Sequence, residues 1–118
     1  MALRHYRELV AWQKAMELAG AVYRLTARFP ADERFGLVLQ MRRCAVSVPS
    51  NIAEGQGRGT GNEFCRFLRI ANGSRQELET QLLLAQSLGL MTAEQSQPVL
   101  ESSEEVGRLI AGLIRSLD

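Results

Sequence analysis

Arginine is the residue type best equipped for chemistry here. Thirteen of the fourteen basic side chains in this 118-residue chain are arginine. A guanidinium presents a planar fork of donors that matches phosphate oxygens. Arg42 and Arg43 are adjacent, and Arg58, Arg66 and Arg69 follow within a short span. These five are the candidate contacts to RNA or DNA. Their competing role is a solvated face, with arginines paired to Glu54, Glu63, Glu77 and Glu79. Residues 1–75 carry twelve basic and six acidic side chains, whereas residues 76–118 carry two and seven. That asymmetry fits a basic surface for an anionic partner. It fits better a bundle whose basic and acidic helices pair within one chain or between copies.

Other chemistry is poorly supplied. His5 is the only histidine, so a Glu-x-x-His pair of the di-iron kind is absent and a Ser-His-Asp triad would depend on His5 alone. Glu77 and Glu79 are two apart and diverge on a helix, while Glu79 follows Arg75 by four, a spacing that suits a surface ion pair. Cys44 and Cys65 form no CxxC motif and read as small buried hydrophobes. Cys44 follows two arginines, which makes it the one candidate reactive thiol. The run Gly55-Gln-Gly-Arg-Gly-Thr-Gly61 precedes a helix start, where backbone N–H groups favour anions. It lacks the lysine of a phosphate-binding loop, a preceding strand and the spacing of a dinucleotide fingerprint. A plain connection is expected there. Neither catalysis, nor a metal, nor a cofactor is expected.

The elements that position these residues are helices. No useful stretch alternates at period two, and four segments repeat at helical spacing. The first covers about residues 5–29 and has two adjoining apolar stripes. Leu9, Trp12, Met16, Ala19 and Tyr23 form one, and Ala11, Ala15, Leu18, Val22, Leu25 and Phe29 the other. So wide an apolar face suits a helix with two neighbours. The second covers about 33–56 with Val38, Met41, Ala45, Val48 and Ile52 in step. Pro49 lacks the N–H that would bond the Ala45 carbonyl, so one helix kinked at Pro49 is expected. Ser47, Ser50 and Asn51 stand ready to satisfy that carbonyl. The third helix covers about 61–88, opening at a Thr60–Glu63 capping box and ending at Gly89. The fourth opens at Thr92 with Gln95 and carries Val99, Val106, Ile110, Leu113 and Leu117. Short connections make neighbours antiparallel. The expected fold is therefore all-α: a single domain over 1–118, an up-down-up-down four-helix bundle. The start breaks its apolar residues with charges, and no apolar run approaches the ~20 residues of a membrane span. A cytoplasmic protein off the membrane is expected.

Several strings are distinctive together. They are Tyr6 through Met16, Phe29-Pro30 with Glu33 through Leu37, Arg42 through Gly55, Glu63 through Leu68, and Glu77 through Leu83. Across about residues 5–91 they resemble the proteins encoded in intervening sequences of 23S ribosomal RNA genes. The fourth helix fits only by its pattern. The resemblance implies a four-helix bundle assembled as a ring, commonly a homopentamer. It also implies kinship with accessory proteins of diversity-generating retroelements, which are similar pentamers with a basic surface that binds nucleic acid beside a reverse transcriptase. The near-neutral total charge of +1 departs from those basic relatives. Two functions follow as expectations: a homo-oligomeric nucleic-acid-binding or reverse-transcriptase accessory factor, or a structural, protein-binding oligomer without nucleic acid. Where the arginines go discriminates between them.

Overall fold

The computed structural model describes residues 5–33 and 36–117. The chain start and Arg34-Phe35 lie outside them. Four α-helices account for most of the described chain: α1 at Val10–Thr26, α2 at Leu37–Gly57, α3 at Gly61–Ser87 and α4 at Ala93–Leu117. Short 3-10 turns stand at Tyr6–Glu8 and Ala31–Glu33, and no strand occurs among the described residues. Each helix packs on two neighbours, α1 on α2 and α4, and α3 on α2 and α4. The result is the antiparallel four-helix bundle that the periodicity predicts, 47 Å long and 24 × 19 Å across.

The boundaries follow from caps. Thr60 Oγ1 accepts from the Glu63 N–H at 3.2 Å. The reciprocal half of that box is absent, because the Glu63 carboxylate turns to Arg66. The Thr92–Gln95 box is complete, with bonds of 3.1 and 2.9 Å. Gly89 takes φ +76°, and the Leu90 N–H reaches the Ala85 carbonyl at 3.0 Å. That left-handed residue and backward bond terminate α3. The first helix starts later than its pattern suggests. No residue before it caps it with a side chain, and Leu9 adopts an extended conformation. Extension buries Leu9 in the core and brings the Tyr6 ring edge-on to Trp12 at 5.3 Å. Tertiary packing overrides the helical pattern there.

α2 continues unbroken through Pro49. The neighbouring polar side chains do not serve the Ala45 carbonyl as expected. Asn51 donates instead to the Ser47 carbonyl and hydroxyl, at 2.8 and 2.9 Å. Ser47 and Asn51 are one turn apart and face α3, where Ser47 Oγ meets Ser74 Oγ at 2.9 Å.

The core takes all its fully buried α1 residues from one of the two stripes, with Leu9 and Ala19 joining from the other. Ala11, Ala15, Leu18 and Val22 are buried against Met41, Val48, Ile52, Leu68, Leu78, Leu82, Val106 and Ile110. Met16 and Tyr23, from the other stripe, stay at the surface with Val46 of α2, and Trp12 is partly buried against the core. The α2–α3 seam is tight. A Cβ on Gly55 would stand 2.5 Å from Phe67 Cβ. Cys44 is buried in the same seam beside Glu77 and Gln81, whose Oε1 has no hydrogen-bond partner. Burial, helped by the Glu77 carboxylate, pushes the Cys44 thiol up to about 11. That is the opposite of a reactive thiolate.

Two outcomes follow. Helix propensity favours Gly55→Ala by about 1 kcal/mol. The Phe67 Cβ is anchored to its backbone and cannot swing aside, so overpacking should win and cost about 1–3 kcal/mol. A urea titration should therefore show a lower midpoint, and a raised one would mean that α2 and α3 separate freely. For the thiols, a maleimide at pH 8 should label native protein once, at the half-buried Cys65. Both should react in denaturant, and fast native labelling of Cys44 would contradict its burial.

Candidate nucleic-acid interface

The antiparallel topology sorts the five nominated arginines to opposite ends. Arg42 and Arg43 stand near the start of α2, beside the last turn of α1. Arg58, Arg66 and Arg69 stand where α2 ends and α3 begins. Their surroundings differ more than their spacing suggests.

Arg42 closes the C-terminus of α1. Its Nε donates to Thr26 Oγ1 at 2.9 Å and its Nη2 to the Tyr23 carbonyl at 3.2 Å. Its guanidinium also stacks on the Tyr23 ring, 4.5 Å from the centroid. Terminal carbonyls of a helix need such donors, and the helix dipole favours a cation there. Most of the donor fork of Arg42 is thus engaged within the chain. Arg43, one residue on, is exposed and makes no ion pair among the described residues.

Arg58 and Arg66 come together over Phe67. Their guanidinium carbons lie 5.0 and 4.6 Å from its ring centroid. Phe67 is 6% exposed yet sits outside the central apolar cluster. The two arginine stems and heads are what cover it. Each head also holds a carboxylate of its own helix, Arg58 with Glu54 and Arg66 with Glu63, both at 2.9 Å. The Arg66 hydrogen bond lowers the Glu63 carboxyl below its ordinary value, and the same bond raises Arg66. Both pairs are solvated, and exposed pairs of this type contribute little. A phosphate would have to compete with these glutamates. Arg69, a turn further along α3, is exposed and makes no ion pair among the described residues.

The fold adds arginines that reading along the chain missed. The end of α4 lies beside the start of α3, with the Leu117 carbonyl 3.9 Å from where a Gly61 Cβ would stand. Leu9 and Val10 line the same hollow as Arg108, Leu113 and Ser116. Arg7, Arg108 and Arg115 therefore share an end with Arg58, Arg66 and Arg69. All three are exposed, and none has an ion pair among the described residues. Glu8, Glu17, Glu54 and Glu63 are the described acids of that end, and Glu104 lines one hollow with Arg108. The end is net basic, although α4 belongs to the acidic half of the sequence. The signal was available: antiparallel order alone places the last turn of the fourth helix there.

Arg75 behaves differently again. The expected surface pair with Glu79 is largely buried, with Arg75 Nη1 and Glu79 Oε2 2.6 Å apart. Ser103 Oγ of α4 donates to the same carboxylate oxygen at 2.7 Å, and Arg75 Nε donates to Asn72 Oδ1 at 2.9 Å. The guanidinium lies flat over Gly107, where a Cβ would meet its central carbon at 2.6 Å. The node clamps α3 to α4 and is not an anion site. No group of three or more His, Cys, Asp or Glu side chains suited to a metal occurs among the described residues. No helix among them is long and apolar enough to cross a membrane.

Comparison with known proteins bears on this geometry. No curated protein matches the chain. A crystal structure from Bacteroides thetaiotaomicron, of a protein with unknown function from the S23 ribosomal protein family, is similar at TM-score 0.80 and 25% identity. The similarity covers 89% of this chain and 98% of that one. A family model for the 23S rRNA-intervening sequence protein matches residues 7–112, reaching well into α4. Over nearly its whole length, then, the chain answers to one family, and it belongs to the 23S rRNA-intervening sequence proteins.

Proposed function

We propose that this protein is a non-catalytic, homo-oligomeric bundle that presents its basic end to nucleic acid, in a cytoplasmic setting. The observation that carries the reading is the gathering of Arg7, Arg69, Arg108 and Arg115 at one end of the bundle, free of ion pairs among the described residues. Affinity for nucleic acid comes chiefly from phosphate neutralisation, and it depends on local charge more than on the total of +1. Assembly, as a pentameric ring on the model of the resemblance, would repeat that end once per copy and multiply a weak contact. A nucleic-acid enzyme such as a reverse transcriptase is the protein partner this reading favours. Assembly itself is supported by the apolar groove between α1 and α2, about 480 Å³ in volume and lined by Trp12, Met16, Tyr23, Val46 and Pro49.

One observation favours a second reading, a protein-binding oligomer without nucleic-acid affinity. Three of the five nominated arginines, Arg42, Arg58 and Arg66, already have partners within the chain. The site of contact is therefore expected at Arg69, Arg108 and Arg115, with Arg43 as a separate exposed candidate, and not at Arg58 and Arg66.

Two measurements check this. Light scattering of the wild type at micromolar concentration should give a mass several times 13.1 kDa, and a 13.1 kDa particle would contradict assembly. Fluorescence anisotropy with structured RNA and with duplex DNA should show affinity falling steeply with salt, about tenfold between 50 and 200 mM for every two phosphates neutralised. Replacing Arg69, Arg108 and Arg115 together by Gln should weaken binding alike for all sequences and flatten the salt slope. Absence of binding at low salt would leave the second reading standing.

A further inference from the structure

Two apolar surfaces stand on different parts of this molecule, one hollow and one raised. The hollow is the α1–α2 groove, where Met16 is 48% and Val46 43% exposed. The raised one runs along α3 beside its seam with α2. Ile70, Glu77 and Leu84 are seven residues apart and so return to the same side, and Leu88 continues the row one turn on. Leu84 is 47% and Leu88 59% exposed. Their lengths are comparable. Ile70 to Leu84 spans about 21 Å and Trp12 to Tyr23 about 17 Å, at ~1.5 Å per helical residue.

Their charges are complementary as well. Glu77 is exposed in the middle of the ridge, hydrogen-bonded to the Cys44 thiol of α2 on its inner side, and has no salt bridge among the described residues. At the groove, Arg24 is exposed and also without a salt bridge, and its Nη1 lies over Gly20, 3.2 Å from where a Cβ would stand. Gly20 itself lines the groove. An acid within an apolar ridge and an arginine at the edge of an apolar groove are what one interface needs on its two sides.

We propose that the α3 ridge of one copy seats in the α1–α2 groove of the next, with Glu77 meeting Arg24. The proposal rests on the homo-oligomer reading above and names the surfaces that meet. Because ridge and groove are different surfaces, the contact is head to tail. Every added copy leaves one ridge and one groove uncovered until the chain of copies closes. Closure into a ring covers both apolar surfaces on every copy, whereas an isologous pair built on either one leaves the other exposed.

Complementation tests it. Met16→Glu should block the groove and Leu84→Glu the ridge, both at half-exposed positions that a folded monomer tolerates. By light scattering each variant alone should fall to 13.1 kDa. Mixed one to one, they should form a heterodimer of about twice that mass, through the one ridge and one groove left intact. Glu77→Arg should weaken wild-type assembly, and adding Arg24→Glu in the same chain should restore it. If either groove or ridge variant fails to melt cooperatively, Val46→Lys or Leu88→Lys takes its place. An assembled wild type whose blocked variants stay assembled, or whose mixture stays at the monomer mass, overturns this pairing alone. A monomeric wild type overturns the assembly reading together with it.

Discussion

The close approach of α2 and α3 at Gly55 is the constraint on which the basic end depends. Phe67 Cβ stands where any side chain at 55 would begin, and Phe64 flanks the same point. That approach fixes where the Phe67 ring lies. The ring falls outside the central cluster, so something other than the core must cover it. Arg58 and Arg66 do so, each held in place by a glutamate of its own helix. Two residues that look like phosphate contacts along the chain are thus part of the packing in the fold. The glycine-rich run divides in the same way. Gly55 is needed for packing, while Gly59, at φ +86°, makes the turn.

Antiparallel folding also converts the charge asymmetry of the sequence into one along the bundle axis. Arg108 and Arg115 leave the acidic half and join the arginines of α3, while Glu77, Glu79, Glu104 and Glu105 stand nearer the middle, Glu79 and Glu104 in one hollow with Arg108. The middle is stable because its acids are engaged or solvated. Lys14 reaches Glu17 at 3.7 Å and Glu105 at 4.0 Å, and Arg75 meets Glu79 and Ser103 at the α3–α4 seam. Removing one partner from that node would strand a largely buried charge, which is worse than never having had the pair. Arg7, Arg69, Arg108 and Arg115 at the basic end have no ion pair among the described residues, although Arg7 donates to His5 and lies over the Tyr6 ring.

The fold was legible because it rests on local signals that tertiary packing did not contradict. The 3-4 spacing on α2 and α3, the Thr92–Gln95 box and the left-handed Gly89 each appear where the pattern placed them. The start of α1 was not legible. Burial of Leu9 and the Tyr6–Trp12 contact outweigh propensity there, and neither is visible without the neighbours. The site was legible only in residue type. Spacing marked Arg42, Arg58 and Arg66 as candidates, but the Thr26 hydroxyl, the Tyr23 carbonyl and the Phe67 ring that engage them are set by packing. Arg108 and Arg115 were missed for the converse reason: their neighbourhood is made by topology, not by sequence proximity.

The polar interior of the molecule argues about function by what it already does. Thr26, Ser96 and Ser103 are buried, and each hydroxyl bonds a carbonyl or a neighbouring helix. Gln81 Oε1 is the exception among the described residues, and it belongs to a side chain in the closed seam beside Cys44, not in a cleft. An active site needs convergent polar groups with unmet valences in a shielded hollow. Here the α1–α2 hollow is the reverse: an apolar groove rimmed by Tyr6, Trp12, Tyr23, Met16 and Pro49. A groove of that character, matched elsewhere on the same chain by half-exposed leucines, suits burial of another surface better than transformation of a small molecule.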